Sequence, residues 1–216
     1  MPGIRSGWPS GGVRRGLLPA LGLGLLLLAV APAGGQSADL PAARDLTGKL
    51  LVAAPSMPDP RFAETVIYMV RHNADGAFGV IINRRVGELA LDDLLEGFGL
   101  PRRQAQRKMP VHAGGPVEPK LGFVLHSTDY TDEASIVVDR DFALTVAPKA
   151  LDALAGEAGP ARHLLVLGYS GWGPGQLEGE LARDDWIVTP APPALVFDED
   201  LAAKWQRTRA LEEVAL

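Results

Sequence analysis

The sequence predicts a single domain of mixed α and β structure, an α+β fold, behind an N-terminal export leader. The chain has 216 residues, of which 47% are hydrophobic and 22% charged, a composition typical of globular proteins. It contains no cysteine, which excludes disulfides, thiolate zinc sites and cysteine nucleophiles. From residue 45 onward, short β-branched runs alternate with segments of helical spacing. A chain of this length can bury a hydrophobic core without a disulfide or a metal.

The first 38 residues have the order of a signal peptide. Arg14 and Arg15 precede an apolar run at residues 16–30, and small residues follow up to Ala38. We expect cleavage between residues 33 and 38, which would leave residues 39–216 as a single periplasmic or secreted domain with no membrane span. Two alternatives stay open: an uncleaved leader that anchors the protein in the membrane, and a misassigned start site that leaves it in the cytoplasm.

The predicted mature domain is acidic. Arg5, Arg14 and Arg15 are the only ionised side chains before Asp39, so residues 39–216 carry a formal net charge of −8, against −5 for the whole chain. A body of this charge repels a phosphate backbone, which disfavours nucleic acid as a partner.

The first elements follow from short apolar runs. Residues 46–54 predict a buried strand that ends at Pro55. Residues 64–71 and 77–83 are rich in β-branched and aromatic side chains, and the Asp75-Gly76 pair between them favours a tight turn. These two runs therefore predict a hairpin.

The next segment predicts a helix and a polar connection. Residues 89–98 carry apolar side chains at helical spacing, and Gly97, Gly99 and Pro101 mark the end of the helix. The basic residues 102–108 are interpreted as a solvated connecting loop, with an anion-binding patch as the alternative.

The second half of the chain predicts more strands than helices. Strands are predicted at residues 121–126, 135–138, 142–145 and 163–169, and a helix with proline in its first turn at residues 148–155. A glycine-rich loop, a short helix from Pro174, strands at residues 186–188 and 195–197, and a closing helix from Glu199 complete the prediction.

Two chemical motifs in the glycine-rich segment are incomplete. Ser170 follows a buried strand, as the serine of a nucleophile elbow does, but Trp172 stands where that motif requires glycine, and no histidine can be paired with it from sequence. A turn serine is the favoured interpretation. The same glycines could cradle a phosphate, but the lysine of a P-loop is absent. The histidine and carboxylate spacings predict no metal site.

Several stretches together resemble the YqgE/AlgH family of bacterial proteins. They are residues 46–55, residues 76–83, the Gly114-Gly115-Pro116-Val117 turn, and residues 171–178 with Trp186 downstream. The resemblance implies a mixed, bifurcated β-sheet curled into a pseudo-barrel with flanking helices. The family carries a transcriptional-regulator label but no established enzyme activity, so membership in the fold does not define the function.

We therefore expect a non-enzymatic binding or regulatory module without a cofactor, whose ligand is an unidentified protein or small molecule. The alternatives are a hydrolase that uses Ser170 with a histidine such as His112, and the transcriptional regulator that the family label suggests. The predicted recognition surface consists of His112, Gly114, Gly115, Pro116, Ser170, Gly171, Trp172, Gly173, Gly175, Gln176 and Glu178.

Overall fold

A computed structural model describes residues 45–156 and 158–213 of the chain. The predicted export leader, residues 1–38, lies outside the described residues. Within those two ranges, no helix combines the length and the apolar character needed to cross a lipid bilayer.

The described residues form ten strands and five helices. The strands are β1 Leu50–Ala53, β2 Val66–Asn73, β3 Gly76–Ile81, β4 Arg85–Ala90, β5 Lys108–Ala113, β6 Val117–Ser127, β7 Ser135–Val137, β8 Phe142–Val146, β9 His163–Trp172 and β10 Trp186–Thr189. The helices are α1 Leu91–Gly97, α2 Ala147–Ala155, α3 Gln176–Leu181, α4 Pro193–Val196 and α5 Leu201–Glu213.

The strands form one mixed sheet that branches at β9. Its main path runs β10-β1-β2-β3-β9-β6-β8-β7, and β4 and β5 lie off this path. Residues 165–167 of β9 pair in parallel with β5, whereas residues 170–172 pair antiparallel with β3. The expected bifurcation therefore arises because two strands share the length of β9.

The predicted hairpin is confirmed. Strands β2 and β3 pair antiparallel up to Asn73 and Gly76, so that Ala74 and Asp75 form a two-residue turn. Gly76 has a φ of 126°, and a Cβ at this position would lie 2.2 Å from the Trp172 carbonyl oxygen. Glycine is therefore required both by the backbone conformation and by the close approach of β9.

The central strands are buried on both faces, which explains their nearly continuous apolar sequences. In β1, Leu50 and Val52 belong to one core cluster, whereas Leu51 and Ala53 belong to another. Trp205 of α5 packs on the first cluster, and its indole Nε1 donates a hydrogen bond to the Ala53 carbonyl oxygen at 2.8 Å. Helices α1 and α2 cover a third cluster.

Three details of the sequence prediction are wrong. Residues 195–197 were expected as a strand, but Pro193 begins helix α4, since proline suits the first turn of a helix. Residues 170–172 were assigned to the glycine-rich loop but continue β9. Strand β4 was missed because its side chains are mostly exposed and follow no alternating pattern, and the predicted first residue of α1, Leu89, belongs to this strand.

Candidate functional site

Five of the eleven residues of the predicted recognition surface line one of two clefts, and the other six, Gly114, Gly115, Ser170, Gly173, Gly175 and Glu178, line neither. A cleft of about 390 Å³ is lined by Met57, Phe62, Pro116, Gly171, Trp172, Gln176, Glu180 and Trp186, among others; we call it the indole cleft. A second cleft of about 430 Å³ is lined by Arg85, Lys108, His112, Arg162, His163 and Leu201, among others; we call it the histidine cleft. Pro116, Gly171, Trp172 and Gln176 therefore lie together, and His112 lies apart from them.

One carboxylate fixes both indole rings of the indole cleft. Glu180 Oε2 accepts hydrogen bonds from the indole nitrogens of Trp172 and Trp186, each at 2.8 Å. The two rings pack edge to face with their centroids 6.1 Å apart, and Phe62 packs edge-on to Trp186 at 5.6 Å. The aromatic side of the cleft is therefore rigid and its indole donors are satisfied.

The start of α3 is built to hold Glu180 in place. Gly175 adopts a left-handed conformation, with φ at 73°, immediately before the helix. The backbone N–H of Gly173 donates to Gln176 Oε1 at 3.2 Å, and Gln176 Nε2 donates to Glu180 Oε1 at 3.0 Å. Gln176 thus connects the Gly173-to-Gly175 turn to the carboxylate one helical turn away.

Glu178 faces a histidine on β2 rather than the cleft. Its Oε1 lies 3.0 Å from His72 Nε2, and the backbone N–H of Leu46 donates to His72 Nδ1 at 3.3 Å. Because Nδ1 accepts a hydrogen bond, the ring proton resides on Nε2 and is donated to Glu178. This contact fastens α3 to the sheet, and it could not be predicted because the two residues are 106 positions apart in the chain.

Ser170 and His112 have separate backbone partners. Ser170 is completely buried, and its hydroxyl donates to the Gly114 carbonyl oxygen at 3.3 Å. His112 Nδ1 lies 3.2 Å from the Leu165 carbonyl oxygen. No hydrogen bond links Ser170 to a histidine in the part of the chain that the structure describes, so the geometry does not supply the base that a serine nucleophile needs.

The paired glycines of the predicted surface serve backbone packing. A Cβ on Gly115 would lie 2.2 Å from the Tyr169 carbonyl carbon, and a Cβ on Gly114 would lie 2.3 Å from the Gly168 carbonyl oxygen. The chain after β5 is therefore pressed against β9. This contact places the next residue, Pro116, at the wall of the indole cleft.

Two ion pairs form the rim of the indole cleft. Arg61 binds Asp59 at 2.6 Å, and Arg183 binds Asp185 at 2.7 Å. The hydrogen bond from the Arg61 side chain is the main reason that the pKa of Asp59 is lowered. Both arginine side chains are largely exposed, so the rim offers positively and negatively charged groups to a ligand.

The sequence analysis missed four residues of this cleft, because only the fold brings them close to Trp172. They are Arg61, Phe62, Glu180 and Arg183.

Within the basic segment 102–108, Arg102 and Arg103 are paired with carboxylates, whereas Lys108 begins β5 and lines the histidine cleft. Arg102 pairs with Asp93 at 3.0 Å and with Glu96 at 2.8 Å, and Arg103 pairs with Asp152 at 2.6 Å. Their positive charges are neutralised by neighbouring helices, which fits the interpretation as a solvated loop. Among the described residues, no group of three or more histidine or acidic side chains is arranged to hold a metal ion.

These features define a class of protein: a mixed α/β domain with a curled, mainly antiparallel sheet that forms a half-barrel. The AlgH-like family model matches residues 50–215. The chain belongs to the AlgH-like family, as its sequence motifs suggested.

Relatives and solved structures agree with this assignment. A UPF0301 protein from Jannaschia sp. (strain CCS1) is 47% identical over 163 residues, which cover 74% of this chain and 85% of the relative. A UPF0301 protein from Methylococcus capsulatus is 45% identical over 162 residues, covering 75% of this chain and 88% of the relative.

Two solved structures share the fold. The solution structure of the AlgH protein from Pseudomonas aeruginosa has a TM-score of 0.66 at 36% identity and covers 81% of this chain and 92% of its own. The crystal structure of protein DIP2367 from Corynebacterium diphtheriae has a TM-score of 0.59 at 24% identity, covering 77% of this chain and 86% of its own, and supports the fold alone.

Proposed function

We propose that this chain is a non-enzymatic binding module whose indole cleft holds a segment of a partner protein. The observation that carries the proposal is the composition of the cleft. Its lining includes Met57, Arg61, Phe62, Trp172 and Trp186. Aromatic residues, methionine and arginine are the side chains enriched in the cores of protein interfaces, and tryptophan and arginine dominate their hot spots.

The rigidity of the cleft supports binding in preference to a purely structural role. Trp172 and Trp186 are 6% and 5% exposed, so they act as fixed walls, while Arg61 and Arg183 remain accessible at the rim. Since Glu180 already orders both rings, a ligand would not have to immobilise them, and this lowers the entropic cost of association. The volume of about 390 Å³ lies within the usual range for binding pockets.

The opposite charges of the rim favour a polypeptide as the ligand. Arg61 with Asp59 and Arg183 with Asp185 present both charge signs beside an apolar centre. A peptide segment with one apolar side chain and polar neighbours would match this arrangement. Specificity would then come from charge order at the rim and affinity from the apolar centre.

The proposal can be tested by NMR of the indole N–H groups during a screen of short blocked peptides. A binding peptide should shift the signals of Trp172 and Trp186 and leave that of Trp205 unchanged, because the Trp205 nitrogen is bound to Ala53 on β1. Binding of small aromatic molecules without any peptide would contradict a protein partner. Equal shifts of all three signals would contradict the location of the site.

A pair of matched variants separates binding from stability. The double variant Arg61→Ala/Arg183→Ala should weaken peptide binding about tenfold or more, because each arginine is an exposed contact at the rim. The control Arg102→Ala/Arg103→Ala removes two exposed, ion-paired arginines that do not line the cleft. Equal loss of binding in both variants would attribute the effect to net charge and refute the proposed site.

We also propose that residues 1–38 export the domain. The order of Arg14 and Arg15, the apolar run at residues 16–30 and the small residues up to Ala38 supports this proposal. Mass spectrometry of the protein from fractionated cells should find a processed N-terminus between residues 33 and 39 in the periplasm or medium. Full-length protein in the cytoplasm alone would refute it.

A further inference from the structure

We propose that the histidine cleft is a second binding site, which takes the oxyanion group of a small molecule. The cleft places the buried His112 beside Arg85, Lys108 and Arg162 and encloses about 430 Å³. This volume leaves room for an organic group attached to the anion. The site is separate from the indole cleft and does not depend on the function proposed for it.

The first argument is the orientation of His112. The residue is 2% exposed, and its Nδ1 donates to the Leu165 carbonyl oxygen at 3.2 Å. Among the described residues, Arg209 Nε is the one fully buried side-chain nitrogen or oxygen without a hydrogen-bond partner. His112 Nε2 also makes no hydrogen bond there, so it is not fully buried and is accessible from the cleft that His112 lines. A polar atom that belongs to a nearly buried side chain, is accessible from a cavity and has no protein partner offers a place for a ligand atom.

The second argument is the charge balance of the cleft. Three carboxylates also line it, but Glu88 pairs with Arg85 at 3.3 Å and Asp198 binds Arg207. Only Glu199 lacks such a partner in the described ranges, whereas two cations, Lys108 and Arg162, have no carboxylate within ion-pair distance there.

Arg162 is nevertheless held in place. Its guanidinium lies 5.4 Å from the centre of the Phe197 ring, a cation–π arrangement. The first residue of the 13-residue helix α5, Leu201, also lines the cleft, and the start of this helix is capped by Asp200, which accepts from the Ala203 backbone N–H at 3.3 Å. The groups without partners are thus mainly donors, which suits an anion.

The third argument is a buried cation behind the cleft. Lys204 of α5 is completely buried, and within residues 45–156 and 158–213 its Nζ donates only to the Val196 carbonyl oxygen, at 2.8 Å. Burial lowers the pKa of Lys204 to about 8, although the charge of Asp198 raises it. Burial also lowers the pKa of His112, and the charges of Lys204 and Arg85 lower it further. A bound anion would offset all of these unfavourable interactions.

Binding of an oxyanion should be linked to proton uptake by His112. With Nδ1 donating to Leu165, neutral His112 turns a lone pair toward the cleft, whereas protonated His112 offers an N–H donor. An anion near Nε2 favours the protonated ring, and anion affinity should rise by up to about tenfold for each pH unit below neutrality. The second histidine of the cleft, His163, donates from Nδ1 to Pro160 and also has a pKa lowered by burial, so both rings should be followed.

The test uses sulfate and acetate with the full chain, because sulfate keeps its charge through the neutral range. Sulfate should shift the ring signals of His112 and raise the midpoint of their pH titration. Binding of sulfate but not acetate would identify a phosphate-type ligand, and binding of acetate but not sulfate would identify a carboxylate. Failure of both anions to move the His112 titration would overturn the proposal.

A matched pair of lysine variants provides the control. Lys108→Ala should weaken binding of the effective anion about tenfold, since it removes a cleft cation without a partner. Lys120→Ala removes an exposed lysine on β6 that does not line the cleft and should change binding less than about twofold. Arg162→Gln should act like Lys108→Ala. If Lys108→Ala and Lys120→Ala weaken anion binding equally, the binding depends on the net charge of the protein rather than on the cleft, and the proposal is refuted.

Discussion

The two clefts differ in how completely their polar groups are satisfied. In the indole cleft, Glu180 accepts from both tryptophans and each rim arginine has an aspartate partner. In the histidine cleft, His112 Nε2 and two cations lack partners among the described residues. The first cleft is therefore rigid and its charged groups are paired. The second cleft has an excess of unpaired positive groups, which would favour the binding of an anion.

The difference has a structural origin in the two helices involved. Helix α3 places Glu180 within hydrogen-bond distance of both indole nitrogens, so that a carboxylate satisfies the two buried donors. Helix α5 instead brings Lys204 toward His112, and the nearby Asp198 is bound by Arg207. Substitutions in these two helices should consequently have effects of opposite sign on stability.

The largest effect is expected for Glu180→Ala. The substitution leaves two nearly buried indole N–H groups without an acceptor, and we expect the free energy of unfolding to fall by about 2–4 kcal/mol. Urea unfolding measures this change. The control Glu178→Ala, which removes only the contact with His72, should cost roughly 1 kcal/mol. An equal loss in both variants would contradict the role of Glu180 as the common acceptor.

Lys204→Met should have the opposite effect and raise the free energy of unfolding. The folded pKa of about 8 lies below the ordinary value of 10.5, so between these two pH values the unfolded chain binds more protons and stability rises with pH. At pH 7 the full penalty of the buried charge is present. Removing it should stabilise the protein by roughly 1–2 kcal/mol, after the lost hydrogen bond to Val196 is counted.

The pH profile distinguishes this explanation from simple improvement of packing. In Lys204→Met, the rise of stability between pH 8 and 10.5 should disappear, and the pKa of His112 should move upward because a nearby positive charge is gone. Urea unfolding at several pH values and NMR titration of His112 measure both effects. A stabilised variant with an unchanged pH profile would contradict the buried charge.

The sequence predicted those parts of the fold that depend on neighbours along the chain. The β2–β3 hairpin follows from two β-branched runs and the Asp75-Gly76 pair, and α2 follows from the proline in its first turn, Pro148. Residues 195–197 misled the prediction, because three apolar residues fit a buried strand or a buried helix equally well. Strand β4 carried no pattern, since its side chains are mostly exposed at the edge of the sheet.

Of the indole cleft, the sequence analysis predicted only residues that lie close together in the chain. Trp172 and Gln176 were selected because glycines and an aromatic residue are concentrated in their segment, and both line the indole cleft. Arg61 and Phe62 reach the same cleft from a loop more than 100 residues earlier. His112 and Pro116 are four residues apart and were grouped together, yet the tight packing at Gly114 and Gly115 separates them into different clefts.

The smallest effect on stability is expected for Ser170→Ala. This variant tests whether the Ser170 hydroxyl contributes to binding at either cleft. Ser170 donates to the carbonyl oxygen of Gly114, so its removal should cost about 1 kcal/mol in unfolding free energy. Because the hydroxyl is fully buried and lines neither cleft, peptide shifts at Trp172 and anion shifts at His112 should both persist. Loss of either binding without loss of stability would assign Ser170 a direct role and reopen a catalytic interpretation. Retention of both would leave the two clefts as independent sites on one rigid sheet.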